Sequence, residues 1–97
     1  MSAYMIISVT PEDEQKFREY ETATLELVSR YGGVPVARDP QPLVLETDAK
    51  PAFGVILRFD SKQAVEAFYH SEDYAPLKEF RQTFAKAHAL VIEAPEQ

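Results

Sequence analysis

The spacing of apolar residues changes along the chain, and each spacing predicts one kind of element. Tyr4 to Val9 is a short run rich in isoleucine, which favours a β-strand over a helix. After Pro11, apolar side chains recur every three or four residues, which is typical of the buried face of a helix. The residues on that face are Phe17, Tyr20, Thr24, Leu27, Val28 and Tyr31.

The two ends of this first helix carry recognisable signals. The Thr10 hydroxyl can cap the first turn, and Pro11 suits the first helical position, where its missing N–H costs nothing. Gly32 and Gly33 are residues that commonly end a helix. The sequence therefore predicts a helix that begins at Pro11 and ends before the paired glycines.

The middle of the chain is extended. Val34 to Arg38 and Leu43 to Thr47 are two extended stretches, and the segment between them contains Pro40 and Pro42, which favours a hairpin or an edge excursion. Phe53 to Phe59 is the clearest strand, because alternate aromatic and aliphatic side chains place one apolar face on it.

The last third predicts two helical pieces and a closing strand. Ser61 offers cap chemistry for a helix from Lys62 to about His70, a second helix begins near Pro76, and Ala89 to Ala94 is the last strand. This order predicts an α+β fold of the ferredoxin-like kind, a βαββαβ plait with one added strand. We expect a single domain over residues 1–97.

Apolar residues lie on both faces of the predicted strands, although a sheet with helices on one side and water on the other should alternate. A second apolar face would be an exposed patch on a monomer, so we expect a homodimer packed sheet to sheet. The alternative is that the strands are irregular and the second face is merely mixed. The residues concerned are Tyr4, Ile6, Ile56, Leu90 and Ile92.

Composition narrows the classes of partner. The net charge of -6 repels phosphate backbones, so we expect no nucleic acid partner. No apolar run is long enough to span a bilayer, and the N-terminal run lacks a basic leader, so we expect no membrane association. The chain has no cysteine and two histidines. We therefore expect a cytoplasmic protein without a metal site and without a cofactor.

Four polar residues form the main candidate site. Arg38 and Glu46 lie in neighbouring extended segments and can form a cross-strand pair, while Tyr74 and Arg81 lie about two helical turns apart. Together they can line a pocket for a small anion or carbonyl, since arginine binds carboxylate with a two-pronged fork. The alternative is a salt-bridge network that fixes strand register. In either case we expect Arg81 to reach Glu46 or a bound anion.

The remaining candidates favour structural roles. Ser71 with Tyr74 is more typical of a turn and cap than of a nucleophile, because only His70 is a nearby base. His88 is expected at a helix-to-strand junction, where it is either structural or lines a pocket and moves protons. His88 and Tyr74 are the candidate catalytic residues.

Six short stretches resemble one known family. The most specific runs from Ala67 to Tyr74, including Tyr69 and Ser71, and is followed by Leu77 and Arg81. The chain is similar to the small proteins catalogued as domain of unknown function thirteen-thirty, within the dimeric α/β-barrel superfamily. It departs from their usual pattern at Val34 and Asp39. The other stretches are the N-terminal strand with Tyr4, Tyr31-Gly32-Gly33, Val36-Ala37-Arg38, Val44-Leu45-Glu46 and Phe59-Asp60-Ser61.

The resemblance implies a dimeric α/β barrel and no established reaction. We expect a protein that binds or converts a small molecule in an apolar pocket between the sheet and the helices. The candidate substrate-binding residues are Arg38, Glu46, Tyr69, Ser71, Tyr74 and Arg81. The alternatives are a cofactor-independent monooxygenase or isomerase for a small aromatic or lactone substrate, and a non-catalytic binding or stress-associated module.

Overall fold

The computed structural model describes residues 1–48, 50 and 53–95. Four strands and three helices follow one another in the order βαββααβ. This arrangement confirms the predicted α+β class. The bounds are β1 Ser2–Pro11, α1 Glu14–Arg30, β2 Val34–Asp39, β3 Phe53–Phe59, α2 Lys62–Tyr69, α3 Ala75–Gln82 and β4 Ala85–Ala94.

The four strands form one antiparallel sheet in the order β2-β3-β1-β4. The strand that begins the chain therefore lies at the centre, next to the strand that ends it. The helices cover one face, which we call the inner face, and the opposite face is the outer face. The topology is that of the predicted plait.

The expected added strand does not form. Residues 43–47 are exposed and belong to none of the four strands of the described chain. The preceding prolines explain this, because Pro40 and Pro42 have no N–H to donate to a neighbouring strand. The segment is instead part of an irregular connection between β2 and β3.

The first helix begins later than the sequence predicts. Its N-cap is Asp13, whose carboxylate accepts a hydrogen bond from the Lys16 N–H at 3.0 Å. Thr10 and Pro11 belong to β1, where Pro11 lies opposite Ala85, and the Thr10 hydroxyl donates to the carbonyl of Lys50 instead of capping the helix. Pairing with β4 thus extends the strand through a proline at its end, a position that proline tolerates.

Strand alternation assigns opposite roles to neighbouring residues in β1, β3 and β4. Residues 3, 5, 7 and 9 of β1 pair with odd-numbered residues on both neighbouring strands, and these form the inner face. The final strand begins at Ala85, four residues before the predicted start at Ala89, and so adds two further odd positions to that face. The buried members include Met5, Leu57 and Phe59.

The core beneath the helices has two parts. The larger cluster contains Phe59 and Phe68, and the smaller one contains Phe17, Phe53 and Phe84. Phe17 and Phe53 contact edge to face, with ring centroids 4.9 Å apart. Three side chains pack against both clusters, and they are Ile7, Tyr20 and Val55.

The outer face carries exposed apolar side chains. Ile6 pairs with Ile56 on one side and with Leu90 on the other, so three aliphatic residues form a row across the sheet. Leu90 is 56% exposed and Ile92 is 51% exposed. A contiguous row of this kind on a strand surface is typical of a face that another surface covers.

We predict that Gly33→Ala destabilises the fold. A Cβ atom at Gly33 would lie 2.5 Å from Cγ1 of Val28 and 2.7 Å from Cζ of Phe59, both in the core. Such overpacking should lower the free energy of unfolding by about 1–3 kcal/mol, measured by urea denaturation. Gly54→Ala is the control, because its new methyl group would meet only Pro42 at 3.8 Å. Equal stability of the two variants would contradict the packing shown at Gly33.

Candidate functional site

A cavity of about 540 Å³ lies between the inner face of the sheet and the helices. At the β4 edge, Ala87 and Ala89 form the floor of the cavity, and their short methyl side chains leave space beneath the helices. Aliphatic residues of β1 and β3 form the rest of the floor, and α1 and α2 supply the walls. The apolar lining consists of Met5, Ile7, Val9, Phe17, Leu25, Val55, Leu57, Val65, Ala87, Ala89 and Val91.

A serine turn places Tyr74 in this cavity. The Ser71 hydroxyl donates to the carbonyl of Phe68 at 2.7 Å and accepts from the Tyr74 N–H at 3.1 Å. These two bonds join the end of α2 to the start of α3, so Ser71 is a turn residue. The Tyr74 ring packs on Phe68 with centroids 4.8 Å apart and is 3% exposed.

The Tyr74 hydroxyl shares a hydrogen bond with the Tyr20 hydroxyl, with the two oxygens 2.7 Å apart. Burial raises the pKa of Tyr74 well above its ordinary value of 10.0, because a phenolate there would lose its hydration. The neighbouring Tyr20 raises that pKa further, and the positive charge of Arg81 partly opposes the shift. Tyr74 is therefore a neutral hydrogen-bonding group rather than a base at physiological pH.

Arg81 lies in the last turn of α3, lines the cavity and is 8% exposed. It interacts with Tyr74, but it forms no ion pair with any carboxylate of the described residues. The expected contact with Glu46 is wrong, because Glu46 is exposed in the connection between β2 and β3. The extended segment that was predicted to carry Glu46 alongside β2 does not form a strand.

Arg38 also differs from its expected place. Its guanidinium makes a two-pronged ion pair with Glu21 of α1, with both N–O distances 3.0 Å, and lies 4.4 Å from the centre of the Phe53 ring. The expected partner, Glu46, is not involved. The Arg38 side chain is 49% exposed and does not line the cavity, although Glu21 does. An exposed pair of this kind stabilises a fold by about 0–1 kcal/mol.

The histidines lie at the boundary of the cavity. His70 is exposed after the end of α2, next to Tyr69, and both residues are among those lining the cavity. His88 lies within β4 opposite Ser8, and not at the helix-to-strand junction where we expected it. Its even position groups it with Leu90 on the outer face, although His88 is also among the residues that line the cavity.

Sequence reasoning missed two polar residues of the site. Tyr20 was assigned to the core, although a tyrosine on a buried helix face usually has a partner for its hydroxyl. Thr24, one helical turn later, also lines the cavity, and its buried Oγ1 has no hydrogen-bond partner among the described residues. The three- and four-residue spacing of α1 was the signal for both residues, because it places Tyr20 and Thr24 on the same helix face as Phe17.

The part of the chain that the structure describes lacks two further features. No group of three or more histidine, aspartate or glutamate side chains there is arranged to hold a metal ion. No helix there has the length and apolar character needed to cross a membrane.

Comparison with known proteins adds a family and a fold. A family model described as a domain of unknown function (DUF1330) matches residues 2–95, which confirms the resemblance seen in the sequence. No curated protein matches the chain. A protein of unknown function from Rhodopseudomonas palustris is similar in structure, with a TM-score of 0.81 and 15% identity over 99% of this chain and 84% of that one.

Two other solved structures share the fold. SnoaB, a cofactor-independent oxygenase from Streptomyces nogalater, has a TM-score of 0.73 and 13% identity over 99% of this chain and 95% of its own. A dimeric ferredoxin-like protein of unknown function from Jannaschia has a TM-score of 0.72 and 14% identity over 97% of this chain and 100% of its own. At these identities the likeness extends to the fold alone.

We predict that Tyr74 is the last of the five tyrosines to ionise. Its folded pKa is raised, so the folded state keeps a proton that the unfolded chain loses, and stability should fall as pH rises above about 10. Absorbance at 295 nm during alkaline titration measures the ionisation. Tyr74→Phe should remove the latest phase, whereas Tyr4→Phe should not, and a Tyr74 that titrates with the other tyrosines would refute its burial.

Proposed function

This chain belongs to the DUF1330 family, a domain of unknown function. From the geometry of the cavity between sheet and helices, we propose that the protein binds a small organic molecule there. The observation that carries the proposal is an unfilled cavity of about 540 Å³ beside Tyr74 and Arg81. Ligand pockets commonly measure about 300–1,000 Å³ and combine apolar walls with a few polar groups. A module with no ligand would fill this space with its own side chains.

An enzyme is the second candidate, either a cofactor-independent monooxygenase or an isomerase for a small aromatic or lactone substrate. The shared fold with SnoaB is an analogy and carries no reaction by itself. The favouring observation is a tyrosine beside an arginine in an open cavity, since such groups can hold an oxygen atom that gains negative charge. Tyr74 would then donate a hydrogen bond, and His70 is one of the titratable side chains that line the cavity.

We further propose that two copies pack through their outer faces. The support is the exposed aliphatic row that includes Ile6 and Leu90, and the dimeric state of the similar protein from Jannaschia. Covering this row removes apolar surface from water in both copies at once. The cavity lies on the other side of the sheet and stays open in such a dimer.

We predict that the neutral fluorophore N-phenyl-1-naphthylamine binds in the cavity. Its fluorescence should increase on binding, because the cavity lining is mainly apolar. Ala89→Phe should weaken binding by about tenfold or more, since the new ring occupies the floor of the cavity. Ala67→Phe, on the exposed surface of α2 and outside the lining, is the control. If Ala89→Phe binds the fluorophore as well as Ala67→Phe does, the cavity is not the binding site.

We predict a dimer that buries about 1,600 Å² in total, the usual size of a stable interface. Sedimentation should give twice the 11.0 kDa chain mass at micromolar concentration. Leu90→Glu combined with Ile92→Glu should yield monomers, because each introduces a charge on the outer face. Ala67→Glu adds a charge on the helical side and should leave the dimer intact. Monomeric wild-type protein would overturn the proposal.

A further inference from the structure

Arg81 is a buried cation at the edge of an apolar cavity. Its side chain is 8% exposed, it lines the cavity, and no described carboxylate pairs with it. Removing a charge from water costs free energy unless a partner of opposite charge replaces the lost hydration. Among the described residues, therefore, no anion balances the charge of Arg81 at the place where a ligand would lie.

The neighbouring groups do not supply that anion. Tyr74, which interacts with Arg81, is hydrogen-bonded to Tyr20, and its raised pKa keeps the Tyr74 phenol neutral at physiological pH. Two carboxylates line the cavity. Glu21 is already held by both prongs of Arg38, and Glu66 is exposed on α2.

We infer that Arg81 binds the carboxylate of the ligand, so that the cavity selects small organic acids with an apolar, aromatic or aliphatic body. This inference rests on the proposed binding function and names its ligand class. The planar guanidinium matches a carboxylate with two parallel hydrogen bonds. The Tyr74 hydroxyl stands beside it as a further donor, while the apolar lining receives the body of the acid.

The charges around the cavity favour a ligand with one negative charge over a ligand with two. The lining offers a single buried arginine, and Glu21, Glu66 and the net charge of -6 oppose a more highly charged anion. A monocarboxylate satisfies Arg81 without adding an unbalanced charge to the cavity. Phosphate esters and dicarboxylates are therefore weaker ligands of this site.

The test compares two competitors of almost the same shape, 2-naphthoate and its neutral amide, 2-naphthamide. Each is titrated against bound N-phenyl-1-naphthylamine, and its displacement of the fluorophore gives its affinity. The acid should bind at least about tenfold more tightly than the amide, because it adds hydrogen bonds between two charged groups. Equal affinity of acid and amide for the wild-type protein would overturn the inference without any variant.

Substitutions then locate the charge. Arg81→Gln should remove the preference for the acid, so that acid and amide displace the fluorophore equally, and continued binding of N-phenyl-1-naphthylamine shows that the cavity is intact. Arg81→Lys keeps the charge and should retain part of the preference. Arg30→Gln loses the same charge at an exposed position in the last turn of α1, outside the lining, and should behave as the wild type does. A preference that persists in Arg81→Gln assigns the carboxylate to another residue and overturns the inference.

The two proposals fail in different ways. If Ala89→Phe leaves the binding of N-phenyl-1-naphthylamine unchanged, the cavity is not the ligand site and the proposed function fails. If Ala89→Phe abolishes that binding but acid and amide compete equally, the cavity binds small molecules and only the role of Arg81 is wrong.

Discussion

Three helices must cover the inner face of a sheet whose edge strand β4 presents only methyl groups at three successive inner positions. Ala85, Ala87 and Ala89 cannot reach the helices as the longer side chains of β1 and β3 do. The apolar interior consequently divides into two clusters, which Ile7 and Tyr20 connect. The space between them is the cavity, so its existence follows from small residues on one strand.

The hydrogen-bonded tyrosines and the arginine of the cavity lie on helices and on the turn between helices, not on the sheet. Tyr20 is fixed by α1, Tyr74 by the Ser71 turn, and Arg81 by α3, so three separate segments meet at one point. A domain of this size is stabilised by only about 5–15 kcal/mol. A buried arginine that no described carboxylate pairs with is a substantial cost on that scale, which a bound anion would offset.

The sequence predicted the elements better than the contacts between them. The spacing of apolar residues located α1 and β3, because burial of one face determines that spacing within a single helix or strand. Pairing of side chains depends on how elements pack, and here Arg38 meets Glu21, seventeen residues away on α1, rather than Glu46. The N-cap of α1 is Asp13 and not Thr10 for a similar reason. Pairing with β4 continues to Pro11, the last residue of β1, and so keeps Thr10 in the strand. Tyr20 was missed because its partner hydroxyl is 54 residues distant.

In β1, β3 and β4, odd-numbered residues form the cavity floor and the core, while even-numbered residues form the outer face. A single residue inserted within β1 would exchange these assignments from that point onward, carrying Ile6 inward and Met5 or Ile7 outward. One such event would disturb the binding cavity and the apolar outer row together. Descendants of this sequence can therefore gain or lose residues between β2 and β3, where residues 43–47 form no ladder, whereas the lengths of the three strands are restricted.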